Sequence, residues 1–204
     1  MDKQRIITEA VALLDAEGLD GVTTRKLAAR LGVQSPTLYW HIPNKAALVT
    51  AIAEAILEQQ FPELTPPAPE ERRQEWLIGL AGRLRRALLA HPDGARIISA
   101  SQLSLKMAAI SELAMSTLVG RGIPLRQARL VVLTVLRFTV GYVLEEQNGP
   151  PDADALDGFD LAAYAAAYPT VMAGITEYFQ SGHTADDLFR DCLEQIVHGP
   201  AAGG

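Results

Sequence analysis

The side chains best suited to recognition chemistry are crowded into residues 24–45. This segment carries hydroxyls, aromatic rings and cations in close succession: Thr24, Arg25, Ser35, Pro36, Thr37, Tyr39, Trp40, His41 and Lys45. Hydroxyl and amine groups bond phosphate oxygens, apolar groups contact the thymine methyl, and arginine forms two hydrogen bonds with guanine. The segment therefore predicts a surface that contacts double-stranded DNA. The alternative is a structural three-helix unit with Tyr39 and Trp40 in its core, and Trp40 is expected to be partly buried.

The elements that must position these side chains form a helix-turn-helix pattern. A threonine caps a short helix over residues 24–31, Gly32 permits a tight turn, and Ser35-Pro36 opens a second short helix that ends near His41. Apolar side chains fill the inward positions at Leu27, Ala28, Leu31, Val33 and Leu38. In such a pair the second helix lies in the major groove.

Helical periodicity continues along the rest of the chain, and alternating strand patterns are not evident. The apolar spacing predicts further helices over residues 5–17, 44–60, 71–90, 93–100, 104–120, 124–147, 161–179 and 184–198, with Leu48, Ile52 and Ile56 as the apolar stripe of the second of these. Four prolines between residues 61 and 70 mark a joint. We therefore predict an all-α fold with a three-helix DNA-binding head at 1–47 and a larger helical body at 48–204, connected by the helix at 44–60.

Composition narrows the class of protein. The 204 residues include 18 basic and 24 acidic side chains, a net charge of −6, and the single Cys192. Residues 1–48 hold six basic and five acidic side chains, so the head is slightly positive while the remainder is acidic. One cysteine excludes an internal disulfide, and no apolar signal core opens the chain. Charges interrupt the longest apolar stretches before the roughly eighteen residues of a membrane helix. A cytoplasmic protein without a membrane partner is expected.

An enzyme is the main alternative class, and the sequence holds no motif that supports it. It contains no phosphate-binding glycine loop, no HExxH and no GxSxG. Cys192 and His198 are close in sequence, but six residues leave them roughly 240° apart around a helix. The remaining histidines occur in separate elements without metal-ligand spacing. We therefore expect no catalytic residues, no metal ligands and no cofactor.

The quoted motifs resemble the tetracycline-repressor (TetR) family, most of all its tetracycline-binding members. The resemblance rests on GLDGVTTRKLA at residues 18–28, PTLYWH at 36–41 and Asn44-Lys45, and is weaker at RRALL (85–89), DGAR (93–96) and FTVGYVLE (138–145). It implies an all-helical homodimer that reads a palindromic operator, with a small molecule in the body that releases the DNA. Arg25 is then expected to read a base and Lys45 to meet phosphate. Ser35 replaces a base-reading glutamine, which implies a different operator.

The resemblance also makes the body at 48–204 an effector-binding and dimerisation domain, with a pocket for the effector. The expected lining is Phe61, Leu84, Ile98, Ser101, Gln102, Leu103, Met115, Val132, Arg137 and Glu145. Ile98 and Phe61 match two histidines of the family's magnesium–tetracycline site, one of them the metal ligand, while Glu145 retains an acidic residue. Isoleucine cannot ligate a metal, so we expect a more apolar effector and no magnesium–tetracycline chelate.

Three questions stay open at the level of sequence. Arg137 either anchors the effector or pairs with Glu145 or with an acid on another helix; a buried or half-buried cation is expected. Broad apolar faces near 124–147 and 184–198 either form a four-helix dimer bundle or belong to the monomer core. Finally, a transcriptional activator or an effector-independent regulator would carry the same DNA-binding head.

Overall fold

The computed structural model describes residues 2–101, 103–149 and 157–198. These residues form eleven α-helices and no strand, so the predicted all-α fold is confirmed. The helices are α1 Lys3–Gly21, α2 Thr24–Leu31, α3 Ser35–Tyr39, α4 Lys45–Gln60, α5 Arg73–Leu89, α6 Gly94–Ala100, α7 Leu105–Gly120, α8 Leu125–Asn148, α9 Leu161–Ala167, α10 Pro169–Gln180 and α11 Ala185–His198. The chain divides into two compact units, Met1–Gln147 and Asn148–Gly204.

Side-chain caps fix where the helices of the first unit begin. The Asp2 carboxylate accepts a hydrogen bond from the Arg5 amide at 2.8 Å, and the Asn44 side chain accepts one from the Ala47 amide at 2.8 Å. The Thr23 hydroxyl accepts from the amide of Lys26 at 3.2 Å. Each cap satisfies an amide that has no partner inside its helix, which is why the predicted starts of α2 and α4 agree with the structure.

The first unit is organised around α4, which packs against α1, α5, α6 and α7. The predicted apolar stripe of α4 is confirmed, because Leu48, Ile52 and Ile56 are each at most 1% exposed. Together with Leu13 of α1 and Leu84 of α5 they form a continuous apolar core. Since α4 starts in the head and ends in the body, this core extends through both regions.

The second unit contains α9, α10 and α11. One helix was expected over residues 161–179, but the structure breaks it at Tyr168 into α9 and α10. Proline at position 169 explains the correction, because its ring disfavours helical geometry in the preceding residue and it has no amide to donate. Tyr168 is accordingly non-helical, with φ −127° and ψ 57°.

One continuous helix of the described chain, α8, is long and apolar enough to cross a membrane by length and composition alone. The expectation that charged residues interrupt every apolar stretch before it reaches membrane-spanning length is therefore wrong for α8. One eighteen-residue window of this helix is apolar enough to span despite its few charged residues. A core or interface helix of a soluble protein passes the same test. This helix is weak evidence for a membrane span.

Candidate DNA-binding surface and effector site

The helix-turn-helix is held together by a small apolar core. Leu27, Ala28 and Leu31 of α2 are buried against Leu38 of α3, which is 2% exposed. Gly32 ends α2 in the left-handed conformation (φ 69°), and the amide of the following residue bonds back to the α2 backbone at 3.0 Å. A side chain at this φ would be strained. The turn is therefore tight enough to present α3 on the surface.

The side chains predicted to contact DNA lie on the outer side of this pair. Arg25, Pro36, Thr37, Tyr39, Trp40 and Lys45 are exposed, while Thr24, Ser35 and His41 are half-buried. Trp40 was expected to be partly buried, but 89% of it is exposed. The reason is that Leu38 and Ile42, at 2% and 5% exposure, already occupy the inward positions on either side of it.

Ion pairing divides the cations of the head into two groups. Lys26 pairs with Glu17, and Arg30 Nε lies 3.3 Å from Glu9 Oε2, so two α2 cations are neutralised by α1. Arg25 has no acidic partner among the described residues, and neither does Lys45. Lys45 is also the first residue of α4, where the helix dipole and free amides favour an anion. These two cations are available to phosphates and base edges.

A polar cluster that the sequence did not reveal joins α1 to the turn before α6. The Asp93 carboxylate accepts a hydrogen bond from the Leu19 amide at 2.8 Å and from Arg96 at 2.9 Å. These contacts hold the pKa of Asp93 below its ordinary value, with the amide of Leu19 as the main cause. His91, which is 6% exposed, has Nδ1 2.6 Å from Asp15 Oδ1. Partners more than 70 residues apart in sequence meet here, so periodicity alone could not find them.

The predicted effector-site residues fall into two groups. Phe61, Leu84, Ile98 and Val132 are buried, and Ser101 and Met115 are half-buried. Phe61 directly follows α4, Leu84 lies on α5 and Ile98 lies on α6, and these three helices pack against one another. Arg83 of α5 places its guanidinium carbon 4.4 Å from the centre of the Phe61 ring. Phe61, Leu84 and Ile98 therefore form an apolar layer at the end of α4.

The remaining predicted pocket residues are not in that layer. Leu103 is 94% exposed and lines a groove of about 450 Å³ beside α4, while Arg137 and Glu145 are exposed on α8. The expectation of a buried or half-buried Arg137 is therefore wrong for this chain. Within the described residues the ion pair from this end of α8 is Glu146 with Arg85, at 2.8 Å. Gln102 lies outside the described residues.

The residues at the body site do not fit a magnesium chelate. Ile98, where the resemblance described above implies a metal-ligating histidine, is an aliphatic side chain that is 8% exposed. Across the described ranges, no three His, Cys, Asp or Glu side chains are grouped so that they could hold a metal ion. Magnesium requires oxygen ligands and retains water, and the apolar layer offers neither a ligand nor a polar partner for such waters.

Comparison with known proteins decides the family. Residues 65–202 match the family model "Tetracyclin repressor-like, C-terminal domain", and residues 6–52 match "Bacterial regulatory proteins, tetR family". The chain belongs to the TetR family. The class A tetracycline repressor from transposon 1721 of Escherichia coli is 40% identical over 196 residues, covering 96% of this chain and 88% of that protein.

Solved structures agree with this TetR-family assignment. A single-residue variant of TetR from Acinetobacter baumannii AYE, in complex with minocycline, matches with a TM-score of 0.73 and 32% identity, over 98% of this chain and 96% of that one. Streptomyces coelicolor ActR in complex with (S)-DNPA matches with a TM-score of 0.81 and 28% identity over the same shares. TetR-family proteins are DNA-binding transcription regulators rather than enzymes, and this chain is one of them.

Proposed function

We propose that this TetR-family protein is a cytoplasmic repressor that binds a palindromic operator as a homodimer and is released by an apolar small molecule other than magnesium–tetracycline. The observation that carries the DNA-binding part is the exposed outer face of α3 with Arg25 and Lys45 beside it. Exposed aromatic side chains and unpaired cations on one helix-turn-helix suit the major groove and its phosphates. Arg25 reads a base, and Lys45 neutralises a phosphate.

Exposed apolar side chains on the second unit support the homodimer. Val171, Ile175 and Phe179 follow one another at four-residue spacing along α10, and each is 44–50% exposed. A helical stripe of this kind is typical of a face that packs against another helix. On α11 the predicted apolar face is partly covered, since Phe189 and Leu193 are buried while Leu188, Cys192 and Ile196 are half-buried. A second copy that buries the α10 stripe would give the two-fold symmetry a palindrome requires.

The effector part of the proposal rests on the apolar layer after α4. Its members come from the end of α4, from α5 and from α6, so a ligand inserted among Phe61, Leu84 and Ile98 changes how α4 packs against α5 and α6. Because α4 begins at Lys45 in the head, that change reaches the DNA-binding surface along one rigid element. A ligand can release the DNA only if it makes different contacts in the DNA-bound and the released conformation, and a change in the packing of α4 would supply that difference.

Selection of bound DNA from random sequence tests the first part. We expect an inverted repeat whose half-sites lie about 34–36 Å apart, or farther if the family's wider spacing applies, and footprinting that protects both halves. Protection of one asymmetric half-site would contradict the dimeric interpretation. Reporter assays on the regulated promoter then separate repression from activation.

A compound panel tests the effector. A true effector at 100 times its dissociation constant should stabilise the protein by about 2.7 kcal/mol, which a thermal-shift assay detects, and should release the selected DNA. Tetracycline with magnesium is the matched negative control. Sub-micromolar tetracycline binding that disappears with a chelator would overturn this part, as would an effector-independent operator complex.

A further inference from the structure

Two neighbouring grooves follow the outer face of α4. The first has a volume of about 460 Å³ and lies between α4 and α1, and the second, of about 450 Å³, lies between α4 and the residues that open α7. Ala51 and Glu54 line both, so the two meet there and form one depression, the α4 groove. Phe61, Leu84 and Ile98 of the apolar layer line neither part. The proposed effector therefore leaves the α4 groove unused.

The walls of the α4 groove are largely apolar. On one side it is lined by Ile7 and Val11, which are four residues apart on α1 and half-buried. On the other side it is lined by Leu103 and Leu105, which are 94% and 79% exposed. Exposed leucines gain free energy when an apolar molecule covers them. The walls therefore favour a ligand with apolar groups on both of its sides.

One carboxylate stands where the two parts of the groove meet and has no cation partner. Glu54 is half-buried and accepts a hydrogen bond from the Lys106 amide at 3.0 Å. No ion pair to Glu54 occurs within the described ranges, because the Lys106 ammonium is directed to Glu58 and to the Phe61 carbonyl. A half-buried charge without a counter-ion has lost part of its hydration and regains little in return. A cation bound beside Glu54 would supply the missing partner.

The other charges around the groove have the same preference. The residues that line its first part include two carboxylates, Glu54 and Glu58, and no basic side chain. Lys3 lines only the second part. Complementary charge attracts a ligand and like charge repels it. The first part of the groove therefore favours a cation over an anion.

We propose that the α4 groove binds a small hydrophobic cation, a molecule whose single ammonium or phosphonium charge is surrounded by aromatic or aliphatic groups. The charge lies beside Glu54, and the apolar groups cover Ile7 and Val11 on one side and Leu103 on the other. Grooves of this volume hold drug-sized molecules, oriented by a few polar groups in an apolar lining. This site is separate from the effector site proposed above and does not depend on it.

Two probes of the same shape and opposite charge test the proposal on the full chain. Tetraphenylphosphonium and tetraphenylborate each carry four phenyl groups around one central charge. Isothermal titration calorimetry should give one phosphonium site per chain with a dissociation constant of about 1–100 µM. The borate should bind at least about tenfold more weakly. Equal affinity for the two ions, or no binding of the phosphonium, overturns the proposal.

Variants of the acidic residues locate the charge of the bound probe. Glu54→Gln should weaken phosphonium binding at least about tenfold, because a charged hydrogen-bonding partner in a half-buried place is lost. Glu58→Gln should weaken it only about two- to threefold, since Glu58 is exposed and already paired with Lys106. Glu63→Gln is the matched control, because Glu63 is exposed and outside the groove, and should stay within about twofold of wild type.

Filling the groove locates the apolar part of the probe. Ala55→Leu places a larger side chain in the first part of the groove and should weaken phosphonium binding at least about tenfold. If circular dichroism shows that this variant does not fold, Thr8→Lys at an exposed position of the opposite wall replaces it, with the same expected loss from like-charge repulsion.

Two further outcomes would overturn the proposal. Phosphonium binding that is unchanged by both Glu54→Gln and the groove variant would place the cation elsewhere on the chain. If these variants instead weakened self-association in sedimentation velocity and left phosphonium binding intact, the groove would be covered by a second copy and not by a cation. Neither outcome affects the operator and effector assays described above, so this proposal and the proposed function fail independently.

Discussion

The DNA-binding head and the apolar layer at the end of α4, which we propose as the effector site, are both built from helices but place their proposed functional side chains oppositely. In the head, α2 and α3 bury a few leucines and an alanine and leave Arg25, Thr37 and Trp40 exposed. In the body, Phe61 and Ile98 are themselves part of the core. The residues that we propose for recognition are therefore separate from the core in the head and part of the core in the body. Substitutions should separate recognition from stability only in the head.

The largest expected effect sharpens the body side of this contrast. Phe61→Ala removes a fully buried ring that packs under Arg83, and should lower the free energy of unfolding by about 3–5 kcal/mol in urea denaturation. Glu63→Ala, at an exposed position two residues along, should stay within about 0.5 kcal/mol of wild type. A loss below about 1 kcal/mol for Phe61→Ala would indicate that the ring is not part of a packed core.

Arg25→Ala tests the opposite behaviour in the head. Arg25 is exposed and has no acidic partner in the described chain, so its loss should cost about 1–3 kcal/mol of operator affinity and relax preference at one base pair. Stability should change by no more than about 0.5 kcal/mol. Fluorescence anisotropy with single-base operator variants measures the first, and denaturation the second. Arg30→Ala is the control, because Glu9 already neutralises Arg30; an equal loss there would contradict the division between paired and unpaired cations.

Lys45→Ala separates phosphate contact from base reading inside the head. The lysine ammonium should neutralise one phosphate, so its removal should weaken binding to all sequences equally and reduce the slope of log affinity against log salt by about 0.9. Titrations at several salt concentrations on operator and random DNA provide the measurement. If Lys45→Ala altered base preference while Arg25→Ala did not, the two roles would have to be exchanged.

The smallest expected effect concerns the link between the two regions. Because the Leu19 amide and Arg96 lower the pKa of Asp93, its carboxylate contributes stability that is fully present above the unfolded pKa of about 3.9 and is lost as pH falls through the lower folded pKa. Asp93→Asn should therefore be less stable than wild type near neutral pH by about 1 kcal/mol or less. The difference should vanish in strongly acidic buffer. A difference in stability between Asp93→Asn and wild type that did not change with pH would show that the effect does not come from the charge of the Asp93 carboxylate.

Local signals account for the parts of the fold that the sequence predicted well. The starts of α2 and α4 follow from caps at Thr23 and Asn44, and the turn at Gly32 follows from its left-handed φ. These signals act over three or four residues, so they do not depend on how the rest of the chain packs. Pro169 carried a local signal too, and the break at Tyr168 was predictable from it.

Only the tertiary structure determined which side chains at the helix edges stay exposed to solvent. Trp40 is exposed because Leu38 and Ile42 fill the space it was expected to share, and Arg137 is exposed because α8 turns its valines inward. Asp93 meets Leu19 across 74 residues of sequence. Periodicity shows that a helix has an apolar side, but which residues at its edge are covered depends on the elements packed against it. That is why the helix-turn-helix could be predicted from the residues themselves, while the apolar layer at the end of α4 and the link at Asp93 required the fold.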